Sequence, residues 1–508
     1  MQSNRAGLLS GTVGFASRGI VQLLLFGVTI VATRTLSVAD FGAYALGSLF
    51  LVLARQLFYV GPYEYLLKAR EERGLLAACF AANMVQASVL AAVLAALWLA
   101  APLILAGSEV GRILGMLIPS VWLVAITAWY EAVLLRSVRV RRYYASTLIG
   151  DTAGAAAAVA LLLKGHGVAS LVAQAYVRLV VLLVLHAMAT GQKPNLRAPL
   201  ADVVAVLRWS LARHAAVLLN FTTSFGADLV LGVSLSPAAT GLYRAANRIV
   251  SALTDLFAQP LQKIAQTNLS ASFVSRREIG TSWLTMLSGV GAMAWAGLVT
   301  LAVLAPDLVP LALGAKWAPA APIVVVFCVV KAFSLLDAVT TSFLVCHDRQ
   351  RAMLKVQVAT AASVIGLGGL ASPWGPLGVA IAVGLASAAM SITYGAMVMR
   401  LSGAGRSAVN ALLRTCLPPV AAVGLALGAL RLSDPGLHGI RAVAMGLGVA
   451  AVAFLAGAFT VRHRLLCALG SLGHHAPANV PPPPAAVRGG QPAAPAAVAA
   501  VNAAAPAA

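Results

Sequence analysis

WSLARHAAVLLNFTTSFGADLVLGVSLSPAATGLYRAANRIVSALTDLFAQPLQKIAQTNLS, residues 209–270, is the stretch on which the reading of this chain turns. It reads as two membrane-crossing helices joined by a tight turn at Ser234–Thr240. It also keeps polar groups at membrane depth: Arg213, Asn220, Asp228, Arg244, Asn247, Arg248 and Asp255. Each ionisable side chain in hydrocarbon costs roughly 2.5–3.5 kcal/mol on insertion scales, so such groups are expected to face a bundle interior or a wet cavity. The turn has an echo near the N-terminus. Leu36-Ser37-x-Ala39-x-x-Gly42-x-Tyr44 recurs, at one constant offset, as Leu235-Ser236-x-Ala238-x-x-Gly241-x-Tyr243. In both copies a span with one early arginine, Arg18 or Arg213, precedes the turn. Two related lobes follow from this, the second starting near residue 200.

The rest of the chain fits that frame. It is 60% hydrophobic and only 10% charged over 508 residues, too little polar surface for a soluble globule. Continuous apolar runs of about 20 residues recur, the length that crosses roughly 30 Å of hydrocarbon. The runs are continuous, not alternating, which disfavours a membrane barrel. Spans are expected near 11–33, 41–62, 76–104, 111–135, 145–163 and 167–189, then the opening pair, then near 281–305, 320–346, 353–371, 375–399, 409–430 and 438–461. The fold class is therefore an all-α polytopic membrane protein of about fourteen transmembrane helices. It divides into an N-terminal lobe over 1–195 (spans 1–6), a C-terminal lobe over 196–400 (spans 7–12), two further helices over 401–465, and an Ala/Pro-rich tail over 466–508 read as disordered. Residues 191–207 form the polar linker between lobes, Pro306–Pro319 a proline-flanked loop, and Pro418-Pro419 a break or kink in span 13.

Charge placement gives the orientation. With the N-terminus in the cytosol, Lys and Arg crowd the even-numbered links, most densely at Arg136, Arg139, Arg141 and Arg142. The opposite side receives only Arg34, Arg112, Lys164, Lys316, Arg431 and Arg441. That asymmetry places both termini in the cytosol. It also accounts for the net charge of +21 without nucleic acid, since the basic residues are spread over short loops. The five cysteines lie in spans or cytosolic segments and suggest packing, not a disulfide framework.

Chemistry-bearing motifs are sparse. There is no phosphate-cradling glycine loop with Lys, no His-Glu-x-x-His, no nucleophile elbow and no cysteine pair at metal spacing. His474-His475 lies in the low-complexity tail. The acids expected outside (Asp40, Glu109, Asp307, Asp434) are scattered singly, which disfavours a membrane glycosyltransferase or polymerase. No catalytic residue, cofactor or metal is assigned. What remains is the buried charge. Arg18, Arg55, Arg213, Glu131 and Asp151 fall toward cytosolic helix ends, where arginines either snorkel or pair with acids. Arg178, Arg248 and Lys331 lie nearer mid-depth, with Asp337 beyond Lys331. Bases outnumber acids, which points to a cavity for an anionic ligand, whereas a cationic-drug cavity would display acids.

These segments also carry a resemblance. Thr35-Leu-Ser-Val-Ala-Asp40-Phe-Gly-Ala-Tyr44, Asp228-Leu-Val-Leu-Gly232, Gly241-Leu-Tyr-Arg-Ala-Ala-Asn-Arg-Ile249 and Gly314-Ala-Lys-Trp-Ala-Pro-Ala-Ala-Pro322 resemble the bacterial polysaccharide transporters, the O-antigen and exopolysaccharide flippases of the MOP superfamily. That superfamily also holds the multidrug exporters and the lipid II flippase. The resemblance runs through spans 1–12 and thins beyond them. It implies two six-helix lobes around a cavity open alternately to each side of the bacterial inner membrane, and an undecaprenyl-diphosphate-linked oligosaccharide as cargo. Arg18, Arg178, Arg213, Arg248 and Lys331 would then hold the diphosphate. Asn220, Asn247 and Gln22 would meet the sugars, and the prenyl tail would stay among membrane lipids. Asp228 and Asp337 are the candidates for ion coupling, Asp228 with a structural role as the competing reading, because the family often has an acid at that helix end. Polysaccharide polymerase or assembly proteins are the expected protein partners, and a multidrug exporter is the alternative function.

Overall fold

The computed structural model describes residues 21–69, 74–104, 108–137, 139–271, 276–403 and 406–465. Arg18 and the tail from 466 on lie outside the described residues. Every regular element among the described residues is helical. In order these are α1 (Val21–Thr35), α2 (Val38–Phe58), α3 (Pro62–Lys68), α4 (Leu75–Ile104), α5 (Ser108–Leu117), α6 (Ser120–Arg136), α7 (Val140–Leu163), α8 (Ala169–Thr190), α9 (Leu200–Ser234), α10 (Pro237–Ala271), α11 (Arg276–Leu313), α12 (Ala321–Ser334), α13 (Asp337–Cys346), α14 (Gln350–Ala371), α15 (Gly375–Ser402), α16 (Arg406–Ser433) and α17 (Gly439–Thr460). Among the described residues, eleven segments are long and apolar enough to cross a membrane. One of them, Gln350–Ser402, holds both α14 and α15. With the shorter apolar α1 and the polar but long α10, each of the fourteen expected spans has a helix among the described residues, the first of them from residue 21 on, its earlier part lying outside the described residues.

The repeated turn shows why its residues recur. Ser37 and Ser236 are equivalent N-caps: Ser37 Oγ accepts the Asp40 amide at 3.0 Å, and Ser236 Oγ accepts the Ala239 amide at 3.2 Å. Each supplies an acceptor for an orphan N–H of the first helical turn. Gly42 and Gly241 then let two backbones meet. A Cβ on Gly42 would overlap the carbonyl of Pro237, and one on Gly241 would sit 2.5 Å from the carbonyl oxygen of Val38. The helix ends follow equally local rules. α8 stops at Gly191, whose φ of 65° is a left-handed C-cap that other residues resist. Arg136 donates to the Leu66 carbonyl at the end of α3, and Arg139 to the Ala189 carbonyl at the end of α8. The densest basic run of the sequence is thus used to cap helix C-termini, where positive charge is favoured.

The proline-flanked loop is mostly helix. Pro306 and Pro310 lie inside α11, which continues to Leu313, so the expected loop shrinks to Gly314 and one 3₁₀ segment, Ala315–Ala320. Pro418 and Pro419 likewise lie within an unbroken α16. Membrane helices tolerate proline where neighbours cover the freed backbone. Here Gly457 of α17 supplies the room: a Cβ on it would meet Pro419 Cα at 2.6 Å and the Pro418 carbonyl oxygen at 3.0 Å. The linker is also shorter than expected, since α9 begins at Leu200.

By their packing the described residues form two compact units, one up to Arg244 and one from Ala245 on. In the first, Trp129 is buried, meets the Phe80 ring edge-on at 5.2 Å and donates its indole N–H to the Leu76 carbonyl at 3.0 Å. In the second, Trp283 is buried beside Phe343 and donates to Thr340 Oγ1 at 3.2 Å. Asp307 receives the Gly439 amide at 2.8 Å and pairs with Arg431, tying α11, α16 and α17 together. Cys79, Cys328 and Cys416 are buried singly. Outside these cores stand large apolar side chains such as Leu425 and Leu455. Such faces belong in lipid, where helix backbones satisfy themselves and apolar surface needs no cover.

Candidate functional site

In the first unit, the mid-depth arginine Arg178 of α8 is bound to Asp151 of α7, Nε to Oδ1. Gly154, one turn along α7, makes room for it: a Cβ there would meet the Gln174 carbonyl oxygen at 2.9 Å and Arg178 Cβ at 3.1 Å. Around this pair lie Arg55 of α2 and Glu131 of α6, which act on it electrostatically. Glu131 is buried and accepts hydrogen bonds from Tyr59 at 2.6 Å and Tyr63 at 3.2 Å. The group holds two cations and two acids, so it is balanced. Of the two readings open for Arg55, snorkelling or joining the acids, its neighbours favour the second.

Arg213 of α9 pairs with Glu64 of α3 at 2.7 Å, its guanidinium 3.7 Å above the Trp209 ring. Asp228, near the end of α9, lies 2.7 Å from Arg244 Nε of α10, and Arg244 also covers the Phe225 ring at 4.7 Å. The approach is a charge contact without hydrogen-bond alignment. Asp228 is only 2% exposed, and its charge is opposed directly by one guanidinium. Asn220 is an exposed residue of α9.

In the second unit, Arg248 and Asp255 lie on α10 and Lys331 on α12, and both cations act electrostatically on the one carboxylate. Arg248 precedes Asp255 by two helical turns, so both share a face. Asn247 accepts a 3.4 Å hydrogen bond from Ser251 one turn along. Asp337 opens α13, just beyond Leu335-Leu336, where the tenth span is interrupted. Ser391 Oγ of α15 donates to its Oδ2 at 2.7 Å, while its Oδ1 is buried without a hydrogen-bond partner.

The residues singled out in the sequence therefore separate into two sets, Arg178, Arg213, Asn220 and Asp228 in the first unit and Arg248, Asn247, Lys331 and Asp337 in the second. Sequence reasoning missed the tyrosine pair on Glu131. Its signal was two tyrosines, Tyr59 and Tyr63, four positions apart on either side of the α2–α3 turn, though their partner lies 68–72 positions away. The expected spans 41–62 and 76–104 leave Glu64 outside any helix, whereas it sits in the first turn of α3. Among the described residues no group of three or more His, Cys, Asp or Glu side chains could hold a metal ion.

Comparison with known proteins adds to this geometry. The family model described as "Polysaccharide biosynthesis protein" matches residues 31–322. No curated protein sequence matches. Among solved structures, the lipid II flippase MurJ in an inward closed conformation is similar over 90% of this chain and 99% of its own, with a TM-score of 0.72 at 12% identity. An inward-facing multidrug-resistance MATE transporter of the MOP superfamily is similar over 76% of this chain and 96% of its own, with a TM-score of 0.54 at 13% identity. At such identities the likeness is one of fold. The family match spans more than half of the sequence, from within α1 to the start of α12, and it includes the repeated turn and both buried arginine pairs of the first unit. This multi-pass membrane protein belongs to the polysaccharide biosynthesis protein family and has the fold of the MOP-superfamily transporters.

Proposed function

We propose that the protein carries a lipid-linked oligosaccharide, held through an undecaprenyl diphosphate, across the bacterial cytoplasmic membrane by alternating access, and that it makes no covalent change. The observation that carries this reading is the pair of cations, Arg248 and Lys331, that act on one acid, Asp255, within a member of a polysaccharide biosynthesis family. Both cations can offer a diphosphate the charge-assisted donors that bind it best. Arg18, Arg178 and Arg213 would serve the same head group, Arg178 and Arg213 only by exchanging their present carboxylate partners. Asn220 and Asn247 would meet the sugars. Asp337, with an unpartnered oxygen at a helix interruption, is the better coupling carboxylate, since Asp228 is already opposed by Arg244. Both termini would lie in the cytosol, and assembly proteins would take the glycan on the outer side.

A multidrug exporter is the second reading, favoured by the MATE-like fold alone. The two are separated by the lipid-linked pool of a deletion strain. The expected result is complete repeat units on their lipid, trapped on the cytosolic face. Export of the pool with unpolymerised repeats accumulating outside would return an enzyme to consideration. An unchanged pool, with new sensitivity to cationic drugs, would favour the exporter.

A further inference from the structure

The repeated turn does more than start two helices. Val38 and Pro237 are each the first residue of their helices, and Gly42 and Gly241 each lie four positions on. The contacts between the two copies are reciprocal: Gly42 faces the Pro237 carbonyl, and Gly241 faces the Val38 carbonyl. A Cβ on Gly241 would also stand 3.2 Å from Gly42 Cα. The two copies therefore meet about a local two-fold relation, each glycine Cα against the other helix's first carbonyl. Such Cα–H···O contacts recur where small residues let helices cross closely, and each is weak. The first turn of each helix is held by its own serine cap, not by the partner copy. Thr240, next to Gly241, is wholly buried. The helix that begins here continues past Arg244 into the second unit.

We propose that the Gly42–Gly241 crossing is a self-complementary clasp on the outer side of the membrane, which parts and re-forms in each transport cycle. This rests on the alternating-access reading above. The geometry suits the task. The two faces are small and apolar, and no ion pair has to be broken between the glycines and the carbonyls they face. Each helix start keeps its own cap when the crossing opens. An added methyl on either glycine meets backbone, not a flexible side chain, so it wedges the crossing apart.

The test uses Thr240→Cys in the full-length protein with its five cysteines replaced, probed from outside intact cells with a membrane-impermeant maleimide. Ser234→Cys, at the exposed last residue of α9, is the reference for full access. In cells that supply lipid-linked glycan, Thr240→Cys is expected to label, and to label several-fold more slowly when glycan supply is blocked. Adding Gly42→Ala or Gly241→Ala should raise labelling about five-fold or more and lower glycan export by a similar factor, since one or two kcal/mol shifts a two-state balance by that much. Full protection of Thr240→Cys while export continues would overturn the clasp. So would a Gly42→Ala protein at normal membrane levels that exports normally and stays protected. If the glycine variants fail to accumulate, the supply-dependent labelling of Thr240→Cys alone decides. Opening by the glycine variants without any dependence on glycan supply would keep the clasp and reject the cargo.

Discussion

Arg248→Gln combined with Lys331→Gln leaves the protein in the membrane and lowers glycan export roughly a hundred-fold or more. Each cation is expected to give the diphosphate a charge-assisted contact of about 1.5–3 kcal/mol, and every 1.4 kcal/mol is about ten-fold. The double change also strips Asp255 of the two cations that act on it, and an unneutralised acid at this depth is costly in itself. Asp255→Asn separates the two effects. Added to the double variant, it should restore any lost membrane level without restoring export. Alone, it should leave export intact, because it removes the one acid from a site that serves an anion. The check is the export rate normalised to the amount of inserted protein. Wild-type export by the triple variant would place the cargo elsewhere.

The second large effect concerns stability. Asp228→Asn should destabilise the protein by about 3–5 kcal/mol, because it leaves Arg244 buried without its counter-charge. The two side chains are 2% and 12% exposed. Asp228→Leu with Arg244→Met, which removes both charges and keeps the volume, should recover most of that loss. Glu64→Gln should behave differently. Its partner Arg213 is 37% exposed and also covers Trp209, so the cost should stay below about 1 kcal/mol. Thermal unfolding of the purified proteins in detergent reads all three. Equal losses for Asp228→Asn and Glu64→Gln would mean that burial does not set the worth of these pairs.

Much of the fold was legible because its rules are local or periodic. Span lengths follow from bilayer thickness, and the repeat at Leu36–Tyr44 and Leu235–Tyr243 marks two equivalent turns, whose serine caps the structure then shows. α10 is instructive. It is too polar to count as a span by hydropathy, and the repeated turn before it, not its composition, reveals it. The prolines misled for a physical reason. Rules drawn from helices in water read Pro306 as the start of a loop and Pro418 as a break or kink, whereas the packing that lets a helix run through, such as that of Gly457, can only be seen in three dimensions.

The charges were half legible. Their presence at depth was plain, and so was their excess over the acids. Their partners were not, because Arg178 and Asp151 lie 27 positions apart and Arg213 and Glu64 149. No sequence periodicity spans such distances. The pairs change what the excess means. In the first unit Arg55, Arg178, Asp151 and Glu131 balance, and in the second two cations, Arg248 and Lys331, act on the one acid Asp255.

The central claim is that the chain moves a lipid-linked glycan and nothing else happens to it. The purified protein, reconstituted into vesicles loaded with a diphosphate-linked glycolipid, tests this directly when an impermeant enzyme outside oxidises every sugar it can reach. The account predicts that the inner-leaflet pool becomes reachable with the wild-type protein, stays sheltered with Arg248→Gln/Lys331→Gln, and is recovered with its glycan unchanged in length. A pool that stays sheltered with the wild-type protein, or a glycan that returns longer or cleaved, would contradict it.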